Sequence, residues 1–149
     1  MTMRKIDYIA VHCTAGNQRQ TIGDLRAEFR RKGWKNPGYH YVVEADGRVT
    51  QLLDDERVSN GVRGWNSRIL NVAYTGGVDA QGRPTDNRTE AQRESLFRLL
   101  RLLKKRYPDA RIQGHRDFSP DLNGDGRVTR NEWVKDCPCF DARAEYAEL

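Results

Sequence analysis

Residues 8–12 read Tyr8-Ile9-Ala10-Val11-His12, and the chain then breaks into the polar stretch Cys13-Thr14-Ala15-Gly16-Asn17. A short, mostly apolar run rich in β-formers, closed by a polar break, is the pattern of a buried strand. His12 would then stand at the C-terminal end of that strand, beside a loop. Downstream, Thr21 is placed to cap a helix whose apolar positions Ile22, Leu25 and Phe29 share one face, with Gly33 as its stop, which predicts a helix over 22–32. Asn36-Pro37-Gly38 signals a turn. His40 to Glu44, the turn residues Asp46-Gly47 and Arg48 to Leu53 then read as a β-hairpin, with Tyr39 and His40 at its mouth.

The stretch from Asn60 to Ser67 has no period and two glycines, and leads into a short strand, 71–74, ended by Gly76-Gly77. Its tryptophan, Trp65, is the sort of loop aromatic that touches ligand. Thr89 with Gln92 forms a capping box, after which Leu96, Leu99, Leu100, Leu103 and Tyr107 repeat at helical spacing up to Pro108. The other face of that helix carries Arg93, Arg98, Arg101, Lys104 and Lys105 and reads as a solvated surface. Residues 112–115 predict a last strand, and 140–149 a terminal helix. Alternating strands and helices of this kind give an α/β fold with a central mixed β-sheet flanked by helices.

The chain has 149 residues, the size of one globular domain, so a single domain over 1–149 is expected. A chain of this length buries roughly 70% of its unfolded surface and needs no disulfide staples. Three cysteines, an odd count, fit no complete disulfide framework. Apolar runs are only a few residues long, so membrane insertion is not expected. No signal-peptide stretch follows Met1, which predicts synthesis in the cytoplasm. Twenty-six Lys and Arg against 21 acids give a net charge of +5, which suits an anionic partner such as nucleic acid, acidic lipid or a cell-wall polymer.

Among the three histidines, His12 and His115 both end predicted strands beside polar loops, and Cys137 lies in another loop after Lys135-Asp136. Two imidazoles and a thiolate supply three ligands and leave a fourth, tetrahedral position for water, as a catalytic zinc requires. The other reading of the same residues is that each histidine satisfies a local hydrogen bond and the cysteine is a small hydrophobe. Cys137-Pro138-Cys139 is too tightly spaced for a structural zinc ribbon. Cys13 follows His12 directly, so on a strand it faces the opposite side and reads as core.

Six segments in order, Val11-His12-Cys13-Thr14-Ala15, Gly38-Tyr39-His40-Tyr41, Glu44-Ala45-Asp46-Gly47, Tyr74-Thr75-Gly76-Gly77-Val78-Asp79, Gly114-His115-Arg116-Asp117 and Lys135-Asp136-Cys137-Pro138-Cys139-Phe140, carry a family likeness. The chain resembles the zinc-dependent N-acetylmuramoyl-L-alanine amidases, which include amidase-type phage lysozymes and animal peptidoglycan recognition proteins. The resemblance implies that His12, His115 and Cys137 bind zinc, that Tyr39 is the catalytic tyrosine and that Lys135 is the lysine of the phage branch. It implies hydrolysis of the amide between N-acetylmuramic acid and L-alanine, by an endolysin or a wall-remodelling enzyme that reaches the cell wall after release. Two positions depart from the family pattern: Gly61 stands where relatives often carry a histidine, and Asn71 where a glycine is usual. Trp65 and Asn66 are the candidate contacts for glycopeptide. A monomer bound to peptidoglycan or muropeptide is expected. Two other functions fit less well. A recognition-only module would lack the cysteine ligand, and a nucleic-acid binder would interleave stacking aromatics with its basic residues.

Residues 121–132, DLNGDGRVTRNE, match a twelve-residue calcium loop: Asp121, Asn123 and Asp125 at positions one, three and five, Gly126 at the sharp turn, the Arg127 carbonyl, Thr129 through water and a bidentate Glu132. Ser119-Pro120 excludes the entering helix of a full EF-hand, and the alternative is a plain Asx-and-glycine turn cluster. The loop reads as an insertion between His115 and Cys137. Bound calcium would order the segment that presents Lys135 and Cys137.

Overall fold

The computed structural model describes residues 4–126, 128–133 and 135–149. Among these, five strands form one mixed sheet in the order β3-β2-β4-β1-β5. The strands are β1 Tyr8–Cys13, β2 Tyr41–Val43, β3 Val49–Gln51, β4 Ile69–Tyr74 and β5 Arg111–Gly114; the helices are α1 Ile22–Arg31, α2 Glu90–Arg106 and α3 Ala142–Glu145. β1 lies between β4 and β5 and is parallel to both; β2 is parallel to β4, and β3 joins it as the antiparallel arm of the hairpin. The α/β fold expected from the sequence is therefore present, with the buried strand at its centre.

Side-chain alternation sorts the core. Ile9, Val11 and Cys13 of β1 point to the face covered by α2 and α3, against Leu96, Leu100, Leu103, Phe140 and Tyr146. Tyr8, Ala10 and His12 point to the other face, where α1 packs Leu25 and Phe29 on Val42 and Leu52 and the 60s loop packs Val62 on Ala10 and Ile69. Both long helices begin at reciprocal capping boxes, Thr21 with Asp24 and Thr89 with Gln92. The basic positions Arg93, Arg98, Arg101 and Lys105 on α2 are exposed, as a solvated face should be.

Several boundaries differ from the sequence reading, most by one or two residues; the hairpin arms, for example, shorten to Tyr41–Val43 and Val49–Gln51. β4 begins at Ile69, not Asn71, because Ile69 and Leu70 pair with Tyr8 and Ile9 and are fully buried. β5 ends at Gly114, and His115 opens a short 3-10 turn that the Asp117 carboxylate caps by accepting from the Gly114 N–H. The terminal helix shrinks to Ala142–Glu145, capped by Asp141. Its attachment is ionic: the buried Arg88 guanidinium bonds both carboxylate oxygens of Glu145 and of Asp86 and lies 3.4 Å from the centre of the Phe140 ring. Replacing Arg88 with methionine leaves two partly buried carboxylates facing apolar surface, and is expected to cost about 3 kcal/mol, read as a lower midpoint of denaturant unfolding. No helix among the described residues is long and apolar enough to cross a membrane.

Candidate active site

The parallel register of β1 and β5 pairs Val11 with Gly114, so the next residues, His12 and His115, emerge side by side at the C-terminal edge of the sheet. Gly114 also lets the 137–138 turn approach: a Cβ there would stand 2.6 Å from Pro138 Cδ. The turn is further tied down by the Arg116 N–H donating to the Cys137 carbonyl at 2.9 Å and the Tyr74 hydroxyl donating to the Pro138 carbonyl at 2.7 Å. Cys137 is thereby brought to His115, 22 residues before it, and to His12, 125 residues before it.

His12 Nδ1 is 3.2 Å from His115 Nδ1 and 3.9 Å from Cys137 Sγ, and the three donor atoms lie within 4.8 Å of one another. Tetrahedral zinc with ordinary bond lengths sets nitrogen ligands about 3.3 Å apart, and nitrogen and sulfur about 3.6 Å. The donor set fits that ion in chemistry and in spacing. Burial pushes the His12 imidazole well below its ordinary pKa, helped by the charges of His115 and Lys135 and opposed by its hydrogen bond to Asn71. Burial, and then Lys135, push His115 down to about 4. Both rings are therefore neutral near pH 7 and have a lone pair to give. The Cys13 N–H donates to Cys137 Sγ at 3.1 Å, which ties the sulfur to the end of β1.

These three residues help to line a cleft of about 520 Å³, whose other walls include Phe29 of α1 and Lys32 just past its end, Trp34, Tyr39, Asn60–Arg63 and Lys135. The Tyr39 ring lies 5.2 Å from that of His12, and its hydroxyl donates to the Cys13 carbonyl at 3.3 Å. Burial raises the Tyr39 pKa, with Cys137 and Cys13 adding to the shift, so the phenol keeps its proton. Lys135 is exposed on the rim. Sequence and structure thus converge on His12, His115, Cys137, Tyr39 and Lys135 in one place.

A model of N-acetylmuramoyl-L-alanine amidases matches residues 2–138. The chain belongs to that family. Similar relatives include an uncharacterised protein of Haemophilus influenzae, 51% identical over 96 residues that cover 64% of this chain and 83% of the relative. The endolysin of Klebsiella phage KP32 is 34% identical over 137 residues, covering 91% and 82%. Among solved structures, the Ph2119 endolysin of a Thermus scotoductus bacteriophage superposes with a TM-score of 0.74 at 28% identity, covering 99% of this chain and 86% of its own. The activity that defines the family, cleavage of the amide between N-acetylmuramic acid and L-alanine in peptidoglycan, is the activity of this amidase.

Trp65 and Asn66, the contacts suggested by the sequence, are not among the residues that line the cleft. The 60s loop presents Asn60 to Arg63 to the cleft. Trp65 instead packs edge-on against Tyr8 and Phe118, and Asn66 spends its side-chain oxygen on the Val62 N–H at 2.7 Å. An aromatic next to an aromatic strand residue gains more by burial than by exposure, which the loop composition alone did not show. The amidase cleft takes its aromatic wall from Phe29 and Trp34, stacked at 5.7 Å. Trp34 follows the helix stop Gly33 directly, the one signal that marked it. Sequence reasoning also missed how Ser59 and His40 join Asn71 behind His12, all fully buried.

In the 121–132 segment the carboxylates of Asp121, Asp125 and Glu132 each bring an oxygen within 4.8 Å of the others. Asp121 accepts from the Gly124 and Gly126 N–H groups, and Asn123 Oδ1 from the Asp125 N–H. Glu132 accepts from Thr129, Leu122 and Asn123, bonds that hold its carboxyl below the usual pKa. The expected Arg127 ligand lies outside the described residues.

Proposed function

We propose that this amidase works with one zinc ion held by His12, His115 and Cys137, and that Lys135 and Tyr39 act on the scissile amide. The observation that carries this reading is the meeting of the three ligand atoms within 4.8 Å in the wall of a cleft that Tyr39 and Lys135 also line. When bound, zinc lowers the pKa of water to about 7 and polarises a carbonyl. Water oxygen adds to the lactyl carbonyl carbon, the C–N bond breaks, and the L-alanine nitrogen leaves as an amine after gaining a proton. The Lys135 ammonium faces the negative charge that grows on the carbonyl oxygen. Tyr39, kept protonated by burial, serves as a donor, orienting water or passing a proton toward the leaving nitrogen. The cleft mixes aromatic and aliphatic walls with polar and charged side chains, which suits a glycopeptide; the endolysin relatives support action on the cell wall after release, and the working form is read as a monomer. The Asn60–Arg63 strip and the Phe29–Trp34 wall are placed to contact the stem, with Trp65 and Asn66 supporting them from behind.

Digestion of purified peptidoglycan followed by mass spectrometry tests the reading, with metals counted in the same sample. Stem peptides with a free L-alanine amino group and about one zinc per chain are expected; full turnover by a metal-free preparation overturns it.

The 121–132 loop is read as a calcium site through Asp121, Asn123, Asp125, the Arg127 carbonyl, Thr129 and Glu132. Calcium at about 100 times its Kd then stabilises the fold by about 2.7 kcal/mol, or about 5–10 °C in Tm for a chain of this size. Calcium added to chelator-stripped, zinc-loaded protein should give that shift in a thermal melt; an unchanged Tm removes the site.

A further inference from the structure

We propose that Asn71 is a positioning residue for the metal-binding imidazole. It holds His12 in the Nε2–H tautomer through a buried hydrogen-bond chain, and residue 61 must be glycine because the Asn71 amide occupies the space beside it. The inference rests on the zinc reading above, which uses His12 Nδ1 as a ligand.

The direction of the chain is fixed at its far end. The Asn71 backbone N–H donates to His40 Nδ1 at 3.0 Å, and a backbone amide cannot be reversed. His40 Nδ1 is therefore an acceptor, and the ring proton sits on Nε2, 2.7 Å from the Arg57 carbonyl that receives it. Arg4 Nη2 also lies 2.9 Å from that nitrogen, but with the ring proton on Nε2 it is a second donor there and makes no hydrogen bond to it; the backbone N–H at Nδ1, which cannot turn, decides between the two tautomers. Burial, with the Arg4 charge added, keeps the His40 ring neutral. Ser59 Oγ lies 3.1 Å from His40 Nδ1, which has no proton to give, so the hydroxyl donates and shares that lone pair with the Asn71 N–H in a three-centre bond. Having used its proton, Ser59 Oγ accepts at 2.6 Å from Asn71, and only the Nδ2 end of that amide can donate.

Asn71 Oδ1 is then the end that faces His12 Nε2 at 2.7 Å, and an acceptor there requires the proton on Nε2. The lone pair is left on Nδ1, toward His115 and Cys137. The reversed amide would put the proton on Nδ1 and close that nitrogen to a metal ion. His12, Asn71, Ser59 and His40 are each at most 1% exposed, so no bulk water competes for these bonds. A Cβ on residue 61 would stand 2.3 Å from Asn71 Cγ and Oδ1, a distance no side chain can occupy. A side chain at residue 61 and the Asn71 amide in its present place therefore exclude each other.

The test begins with the unmodified, metal-free protein. Long-range proton–nitrogen NMR correlations of His12 should show Nε2–H; a proton resident on Nδ1 overturns the proposal without any substitution. Zinc affinity, read by competition with a chromophoric chelator, should fall about 10–100-fold in Asn71→Ala and in Gly61→Ala, with His12 becoming a mixture of tautomers. In an Asn71→Gly background the Gly61→Ala change should cost nothing more, because no amide remains to be displaced. Wild-type affinity in a folded Asn71→Ala protein overturns this inference and leaves the zinc reading intact. A wild-type chain that takes up no zinc overturns that reading and this one with it.

Discussion

Replacing Cys137 with serine yields a folded protein that has lost its zinc and its turnover of muramyl peptides. Serine preserves the shape of the side chain and removes the sulfur. A serine hydroxyl stays protonated near neutral pH, whereas a thiol gives up its proton to become the ligand. The fold should survive, because the turn is held by main-chain and Tyr74 bonds that leave the sulfur out. Loss of the ion removes several kcal/mol of transition-state stabilisation, roughly 10³-fold or more in kcat at about 1.4 kcal/mol per decade. Zinc per chain by mass spectrometry, peptide release from walls and a thermal melt decide the matter together. A Cys137→Ser protein that keeps the wild-type rate would remove the metal from the mechanism.

Lys135→Ala should separate charge stabilisation from metal binding. The side chain is exposed at the rim of the cleft, yet its charge depresses both ligand histidines, so it lies within electrostatic reach of the reacting centre. Taking away one donor aimed at a developing oxyanion usually costs about 10²–10³ in kcat. That loss is expected here with zinc content unchanged, and Lys135→Arg should recover part of it because the positive charge remains. Tyr39→Phe should lose about 10²-fold, at the lower end of what a positioned proton donor supplies, also with zinc in place. Steady-state rates on a soluble muropeptide, with metal analysis on each protein, check all three variants; zinc lost from Lys135→Ala would make that lysine structural.

Much of the fold is legible because its signals are local. A buried apolar run such as Tyr8–Cys13, a threonine three residues before an aspartate or glutamine, and an apolar stripe ended by glycine or proline are each decided within a dozen residues. The structure keeps all of them, moving ends by one or two residues where pairing extends a strand, as at Ile69, or where a side chain caps a turn, as at Asp117. The terminal helix was overdrawn because short-range pattern could not show that Arg88, far upstream, ties Glu145 into place and that one helical turn suffices. The surroundings of Trp65 are beyond local pattern for a similar reason. Whether a loop aromatic faces solvent, a cleft or Tyr8 depends on what the sheet brings beside it.

By itself the sequence determined which atoms are available: two imidazoles, a thiol, a phenol and an ammonium, each next to a strand end or turn, in a chain whose local patterns specify a mixed α/β sheet. Only the tertiary structure decided how those atoms are used. The parallel register of β1 with β5 sets His12 beside His115, and its register with β4 puts Asn71 on the same face as His12. From that juxtaposition follows the hydrogen-bond chain through Ser59 to His40, and with it the nitrogen that His12 presents to the cleft. The physical reason is that a hydrogen bond has a direction and a range of about 3 Å. Residue type supplies donors and acceptors, but only the packed fold brings groups that are distant in sequence within that range and orders them head to tail.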